Sequence, residues 1–203
     1  ATTGLAQLTT STDEDAVQLA RDVIGFLPTN NRAASPVGEN PQPGETDLDA
    51  FIPDDESAAY DVLDIIAAIT DGDFLELGAA HADNIVTGFA RVGGRAVGIV
   101  ANQPSVLAGC LTNDAAIKAA RFIRTCDAFN LPLVLLVDSP GFVPSIEEEK
   151  SGVITRAASL AYAFAEAQVG TITVVTRKAI GPSYTLMGAK DLGADLVFAW
   201  PTA

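Results

Sequence analysis

Between residues 13 and 27 the apolar positions Val17, Leu19, Ala20, Val23, Ile24 and Leu27 follow a 3.6-residue period, which predicts a helix. Ser11 or Thr12 stands where an N-cap belongs. Asp13, Glu14 and Asp15 lie at the positive end, and Pro28-Thr29-Asn30-Asn31 stops the pattern. Residues 32–46, rich in proline and glycine, read as an extended connector. A second helix is predicted from Ser57 to Thr70, then an Asp71-Gly72-Asp73 turn and a short strand from Phe74 to Leu77. Asn84 to Arg91 and Arg95 to Ala101 read as strands joined by Val92-Gly93-Gly94, a hairpin signal. Ala-rich helices and β-branched strands then alternate. Asn113 caps a helix that runs through Phe129, Leu133 to Val137 is a strand buried on both faces, and Ser151 to Ala167 is a helix. Thr171 to Thr176 is a strand, Ser183 to Leu192 a helix, and Leu196 to Trp200 a further strand. This rhythm predicts a layered α/β domain.

Composition narrows the function classes. Hydrophobic residues make up 48% of the chain, yet no apolar run approaches the ~18–20 residues of a membrane span. No charged and apolar leader opens the sequence, so neither membrane insertion nor export is predicted. Cys110 and Cys126 lack metal or redox spacing, which suits a reducing, cytoplasmic setting and a packing role. The formal net charge of −14 argues against a nucleic-acid partner, because phosphate binding needs a basic patch.

The candidate chemistry lies at strand ends. Asp138-Ser139-Pro140-Gly141-Phe142 follows a buried strand and on local grounds is a type II turn. Gly181-Pro182-Ser183-Tyr184 reads locally as a tight turn with proline at the first position of a helix. Both turns leave backbone N–H groups pointing outward, which is what a developing oxyanion needs. Asn102-Gln103-Pro104 is a strand-end turn with no chemistry to assign. Asp114, Lys118 and Arg121 share a helix face and read as solvated ion pairs. His81, the single histidine, has no Ser, Cys or acidic partner in a recognisable arrangement.

Three segments in order, GIVANQP at Gly98–Pro104, LVDSPGF at Leu136–Phe142 and TRKAIGPSYTLMGAKDLGAD at Thr176–Asp195, resemble the C-terminal half of the carboxyltransferase (β) subunit of biotin-dependent acyl-CoA carboxylases. The likeness extends to the transcarboxylase type and is dense from about Leu48 onward. It implies a crotonase-like (ClpP/crotonase superfamily) β/α layered domain over 48–203, incomplete at its C-terminus. Residues 1–47 would be the end of the N-terminal half plus the inter-domain linker. The implied activity is transfer of a carboxyl group from carboxybiotin to a short-chain acyl-CoA such as propionyl-CoA or acetyl-CoA. No side-chain nucleophile is needed, since the protein supplies oxyanion stabilisation and proximity. The alternatives of the same fold are a non-catalytic assembly chain and a decarboxylase subunit of the glutaconyl-CoA type.

By the same resemblance the oxyanion hole consists of backbone amides at Pro182, Ser183 and Tyr184. Gly141, Phe142, Gly181 and Ser183 would contact biotin, and Thr185 would set acyl specificity. Biotin arrives on a separate carrier, acyl-CoA is a substrate, and no metal is expected in this domain. Implied partners are further copies in a hexamer of dimers and a biotin carboxylase/biotin carrier subunit, with neither nucleic acid nor membrane. The chain departs from the family at one point. The turn is Gly-Gly-Ala in relatives, and here proline removes one of two amide donors. Losing such a donor typically costs about 2.7–4 kcal/mol of transition-state stabilisation. Three outcomes follow: Ser183 and Tyr184 form the hole, the Ser183 hydroxyl supplies the missing bond, or activity is reduced.

Overall fold

A computed structural model describes residues 1–38 and 47–203. The expected connector, residues 32–46, lies partly outside this set. A six-stranded sheet runs in sequence order: β1 (Leu75–Glu76), β2 (Ile85–Val92), β3 (Arg95–Asn102), β4 (Leu133–Ser139), β5 (Thr171–Ala179) and β6 (Leu196–Ala199). The first three strands are antiparallel neighbours, and β3 to β6 pair in parallel. The β2–β3 hairpin turns through Gly93 and Gly94, at φ 58° and 78°, the left-handed pair that matches strand twist.

Helices α3 (Asn113–Ala128) and α5 (Val153–Glu166) cover one face of the sheet, with α1 (Asp13–Phe26) beside them on β2. Phe26 stacks on Phe89 with ring centroids 5.9 Å apart, and Arg91 lies over the Phe26 ring. Helix α2 (Val62–Ile69) covers the opposite face through Val62, Ile65 and Ile66. The rest of that face, at Leu196 and Phe198, is about half exposed. Close approach of α3 to the sheet needs small residues on both sides. Ala115, Ala116, Ala119 and Ala120 are buried on the helix, and opposite them Gly98 on β3 has no room for a Cβ against Cys126, Phe122 and Leu133.

Several boundaries differ from the sequence expectation. Thr112, not Asn113, caps α3, its hydroxyl accepting from Ala115 N–H at 3.1 Å. Asn113 instead ties α3 to an unforeseen helix, α4 (Ile146–Ser151), by donating from its amide side chain to the Glu148 carbonyl at 3.1 Å. That helix has no apolar stripe; Ser145 caps its start, and Gly152, at φ 89°, separates it from α5. Helix α2 begins only at Val62, where the Asp61 carboxylate accepts from Leu63 N–H, because residues 55–60 are held against β5. Helix α6 (Gly181–Leu186) is shorter than the periodicity suggests: left-handed Gly188 (φ 73°) turns the chain where its carbonyl accepts from the Thr173 hydroxyl.

Lys118 is not on a solvated face. It is 7% exposed, and its ammonium donates to the carbonyls of Ile85, His81 and Ala82 at 2.7, 2.9 and 3.3 Å. Burial holds its pKa below the ordinary lysine value.

Gly98→Ala tests the helix–sheet contact. We expect it to lower unfolding free energy by about 1–3 kcal/mol, the usual penalty of overpacking. Cys126→Ala in the same background should recover part of that loss. Urea midpoints of the two variants check it, and a Gly98→Ala protein as stable as wild type would refute the close contact.

Candidate active site built from strand-end backbone

Because β3, β4 and β5 are parallel, the segments that leave them meet at one edge of the sheet. Strand β4 is apolar until Asp138 and nearly all of it is buried. Beyond it the chain stays extended. The Gly141 carbonyl accepts from Leu111 N–H and the Leu111 carbonyl from Val143 N–H, both at 3.0 Å, so Leu111 and Phe142 form a parallel bridge. The expected type II turn is thus absent: Gly141 has φ 151° rather than the ~+80° such a turn requires, because its neighbours pair with the chain entering α3.

Between Val137↔Val175 and Ser139↔Ala179 the register shifts, β5 taking four steps where β4 takes two. The Asp138 side chain fills the resulting bulge. One carboxylate oxygen accepts from Lys178 N–H at 3.1 Å and the other from Arg177 Nε at 3.0 Å. Arg177 also donates to the Ala58 carbonyl at 2.8 Å and lies over the Tyr60 ring at 5.1 Å. The Tyr60 and Thr176 hydroxyls are 2.9 Å apart, and Lys178 Nζ donates to the Glu56 carbonyl at 2.8 Å. With Asp138 1% and Arg177 9% exposed, the carboxylate is committed to shaping the backbone and has no proton-transfer position.

The second segment returns at Ile180, whose N–H donates to the Ser139 carbonyl at 3.1 Å. Gly181 is left-handed at φ 65° and, like Pro182 and Thr185, exposed. Ser183 is fully buried. Its hydroxyl donates to the Ile180 carbonyl and accepts from the Ser139 hydroxyl, each at 3.0 Å. The Ser183 hydroxyl therefore points inward, away from any oxyanion at the rim. Helix α6 opens on Gly181, with Ile180 at its N-cap and no side chain capping it. In this first turn Gly181, Ser183 and Tyr184 each carry an N–H, and Pro182 offers none. Beside them lies an open groove of about 450 Å³ lined by Phe142, Ile154, Ala157, Ala158, Pro182, Thr185 and Leu186. The structure thus gathers Gly141, Phe142, Gly181, Pro182, Ser183 and Thr185 at one place. Two such backbone segments beside an apolar groove can hold a planar ring and stabilise negative charge on one of its oxygens.

Other polar candidates lie elsewhere. His81 Nδ1 pairs with the Thr2 carbonyl at 3.0 Å, on the side of the molecule near α1 and α3. Burial pushes the Cys126 thiol far up, and that of the half-buried Cys110 up as well. Among the described residues no cluster of His, Cys, Asp or Glu could hold a metal ion. No helix among them is long and apolar enough to cross a membrane. Sequence reasoning missed Tyr60, Arg177 and the α5 wall of Ile154, Ala157 and Ala158. The one available signal was an acid closing the apolar run LVLLVD, answered by a cation closing the next run, VVTRK.

A crotonase-like carboxyltransferase domain is the class these features define. The chain belongs to the carboxyl transferase domain family, which it matches over residues 1–203. It is 49% identical to the biotin-dependent acetyl-/propionyl-coenzyme A carboxylase beta5 subunit of Mycobacterium tuberculosis, covering 100% of this chain and 39% of that protein. It is 53% identical to the methylmalonyl-CoA carboxyltransferase 12S subunit of Propionibacterium freudenreichii subsp. shermanii, covering 94% of this chain and 37% of that protein. A crystal structure of transcarboxylase 12S, described as a hexamer with methylmalonyl-coenzyme A and methylmalonic acid bound, superposes with a TM-score of 0.96 at 48% identity. It covers 99% of this chain and 40% of its own, so this chain spans about two-fifths of such relatives.

Tyr60 gives the site a pH signature. Burial is the main cause that raises its phenol well above the ordinary tyrosine range, opposed by the hydrogen bond with Thr176. Its unfolded pKa is ~10. The stability it contributes is complete below that pH and is lost as pH climbs towards the folded value, at about 1.4 kcal/mol per pH unit. Tyr60→Phe should flatten this part of the alkaline decline. Denaturant titrations between pH 9 and 11 check it, and equal slopes in both proteins would show Tyr60 to be solvated.

Proposed function

We propose that this chain forms the biotin-facing part of an acyl-CoA carboxyltransferase, which moves a carboxyl group from carboxybiotin on a separate carrier to a short-chain acyl-CoA such as propionyl-CoA or acetyl-CoA. One observation carries this reading: the segments after β4 and β5 are joined by the Ser139–Ser183 hydrogen bond at the mouth of an apolar groove. The groove suits a flat, mostly apolar ring, and the exposed lip at Gly181 and Pro182 leaves room for backbone donors near a ring carbonyl. When bound, carboxybiotin supplies the carboxyl group, and its ureido oxygen gathers negative charge as that group leaves.

The chain's own residues have these roles in the proposal. The amides of Ser183 and Tyr184 donate to the developing charge, with Gly181 N–H beside them and none from Pro182. Gly141 and Phe142 form the wall of the biotin pocket, with Gly181 and Ser183 opposite. Thr185, exposed on the groove, sets the acyl group accepted. Residues 1–47 close the preceding half of the whole protein and link it to the carboxyltransferase domain over 48–203. Helix α1, packed on β2, then forms part of the contact between halves. Oligomerisation into a hexamer is favoured by the assembly of the transcarboxylase 12S relative and by exposed Ile146, Ile154 and Tyr162 on α4 and α5. A biotin carboxylase/biotin carrier subunit is the expected partner, in the cytoplasm.

The test uses the full-length protein, its biotinylated carrier and propionyl-CoA or acetyl-CoA. Carboxyl transfer by wild type is expected. Pro182→Gly should raise the rate, by up to about a hundredfold if a whole donor is restored. Ser183→Ala should lower the rate, not by removing an oxyanion donor but by deleting the inward hydroxyl that joins Ser139 to Ile180. An unchanged rate in Pro182→Gly would place the oxyanion donors elsewhere.

A further inference from the structure

We propose that Asp138 and Arg177 are positioning residues of the transfer reaction: the buried pair holds open the bulge that brings the Ile180–Ser183 segment against Ser139–Phe142. This rests on the function proposed above. Neither residue belongs to the groove. Their effect runs through backbone, and the path is short.

A regular continuation of the β4–β5 ladder would carry Ala179 past Ser139. Instead β5 takes four steps against two, and Ala179 is brought opposite Ser139. An extended strand rises ~3.3 Å per residue, so an unbulged register would displace the Ile180–Ser183 segment by about 6–7 Å. The bulge leaves an amide, Lys178 N–H, with no strand partner, and the Asp138 carboxylate accepts it. The other carboxylate oxygen takes Arg177 Nε, and Arg177 is pinned from behind by the Ala58 carbonyl and the Tyr60 ring. Asp138 itself is pinned by its backbone. Its carbonyl sits where a Cβ on Gly109 would be, so the loop after β3 closes over it, and Asn102 holds that loop through the Gly109 carbonyl at 3.1 Å. The residue after Asp138 carries the consequence to the segment beyond β5: Ser139 accepts from Ile180 N–H through its carbonyl and meets Ser183 through its hydroxyl. Loss of the carboxylate frees the bulge to relax, and relaxation moves the Ser183 amide relative to Gly141 and Phe142. Misplacement by about 1 Å at a reacting centre lowers rates by up to about a hundredfold.

Three variants of the full-length protein test this. Asp138→Ala/Arg177→Met removes both charges together, so no unpaired ion is buried. We expect it to fold and keep its KM for acyl-CoA within twofold, while kcat falls about a hundredfold. Asp138→Asn/Arg177→Gln keeps an acceptor for Lys178 N–H and a hydrogen bond between the side chains, and should recover most of kcat. Arg177→Lys keeps the charge without the Nε donor and should fall between them. Hydrogen exchange, read on a peptide spanning residues 176–183, should quicken in Asp138→Ala/Arg177→Met and be restored in Asp138→Asn/Arg177→Gln, with β2 and β3 unchanged. Wild-type kcat in Asp138→Ala/Arg177→Met overturns the proposal. So does a loss of kcat that simply tracks melting temperature, with no recovery in the Asn/Gln pair. If wild type itself transfers no carboxyl group, the functional reading fails, and the exchange data alone decide whether the pair positions the segment.

Discussion

Strand β4 lies between β3 and β5, buried on both faces, and its pairing with β5 decides where the loops at the sheet edge can lie. Parallel strands place their carboxyl ends side by side, so whatever follows each strand is delivered to a common edge. Here that geometry is adjusted by a bulge. The adjustment is stabilised by a carboxylate that would be costly to bury without its two partners, Lys178 N–H and Arg177. The groove, the Ser139–Ser183 contact and the exposed lip at Pro182 all lie downstream of that local match of charge and backbone.

The site has few side-chain functional groups, and its physics explains why. Backbone amides cannot titrate and need no rotamer to be fixed, so in the proposed transfer a charge that develops briefly would meet donors already in place. The polar side chains near the site are occupied in holding backbone: Asp138 and Arg177 at the bulge, Ser139 and Ser183 between segments, Asn102 at the Gly109 carbonyl. Proline at position 182 fits this scheme sterically, since it follows left-handed Gly181 at the start of a helix, while it removes one donor from the row.

Other buried polar groups serve the scaffold. Lys118 fastens the entry to β2 onto α3 by donating to the carbonyls of His81, Ala82 and Ile85 beneath the helix. Asn113 and Glu148 do the same between α3 and α4, the Glu148 carboxylate accepting from Asn113 N–H at 2.6 Å. These contacts keep the loop after β3 and the helices beyond β4 in fixed relation to the sheet edge.

Elements whose signal is local were legible in the sequence. The period of α1 and its Thr12 cap, the Gly93-Gly94 hairpin, the small face of α3 and the apolar runs of β4 and β5 are set by neighbours a few residues apart. The candidate site was legible as two strand-end segments, because Pro140-Gly141 and Gly181-Pro182 interrupt the strands in readable ways. Tertiary structure alone decided what joins them. The Asp138–Arg177 pair spans 39 residues and the Arg177–Ala58 bond 119, and no local period encodes a register between strands. Lys118 shows the same limit, since its spacing from Asp114 and Arg121 suits a solvated face. Only the packing of α3 over the start of β2 surrounds its ammonium with carbonyls and makes burial favourable.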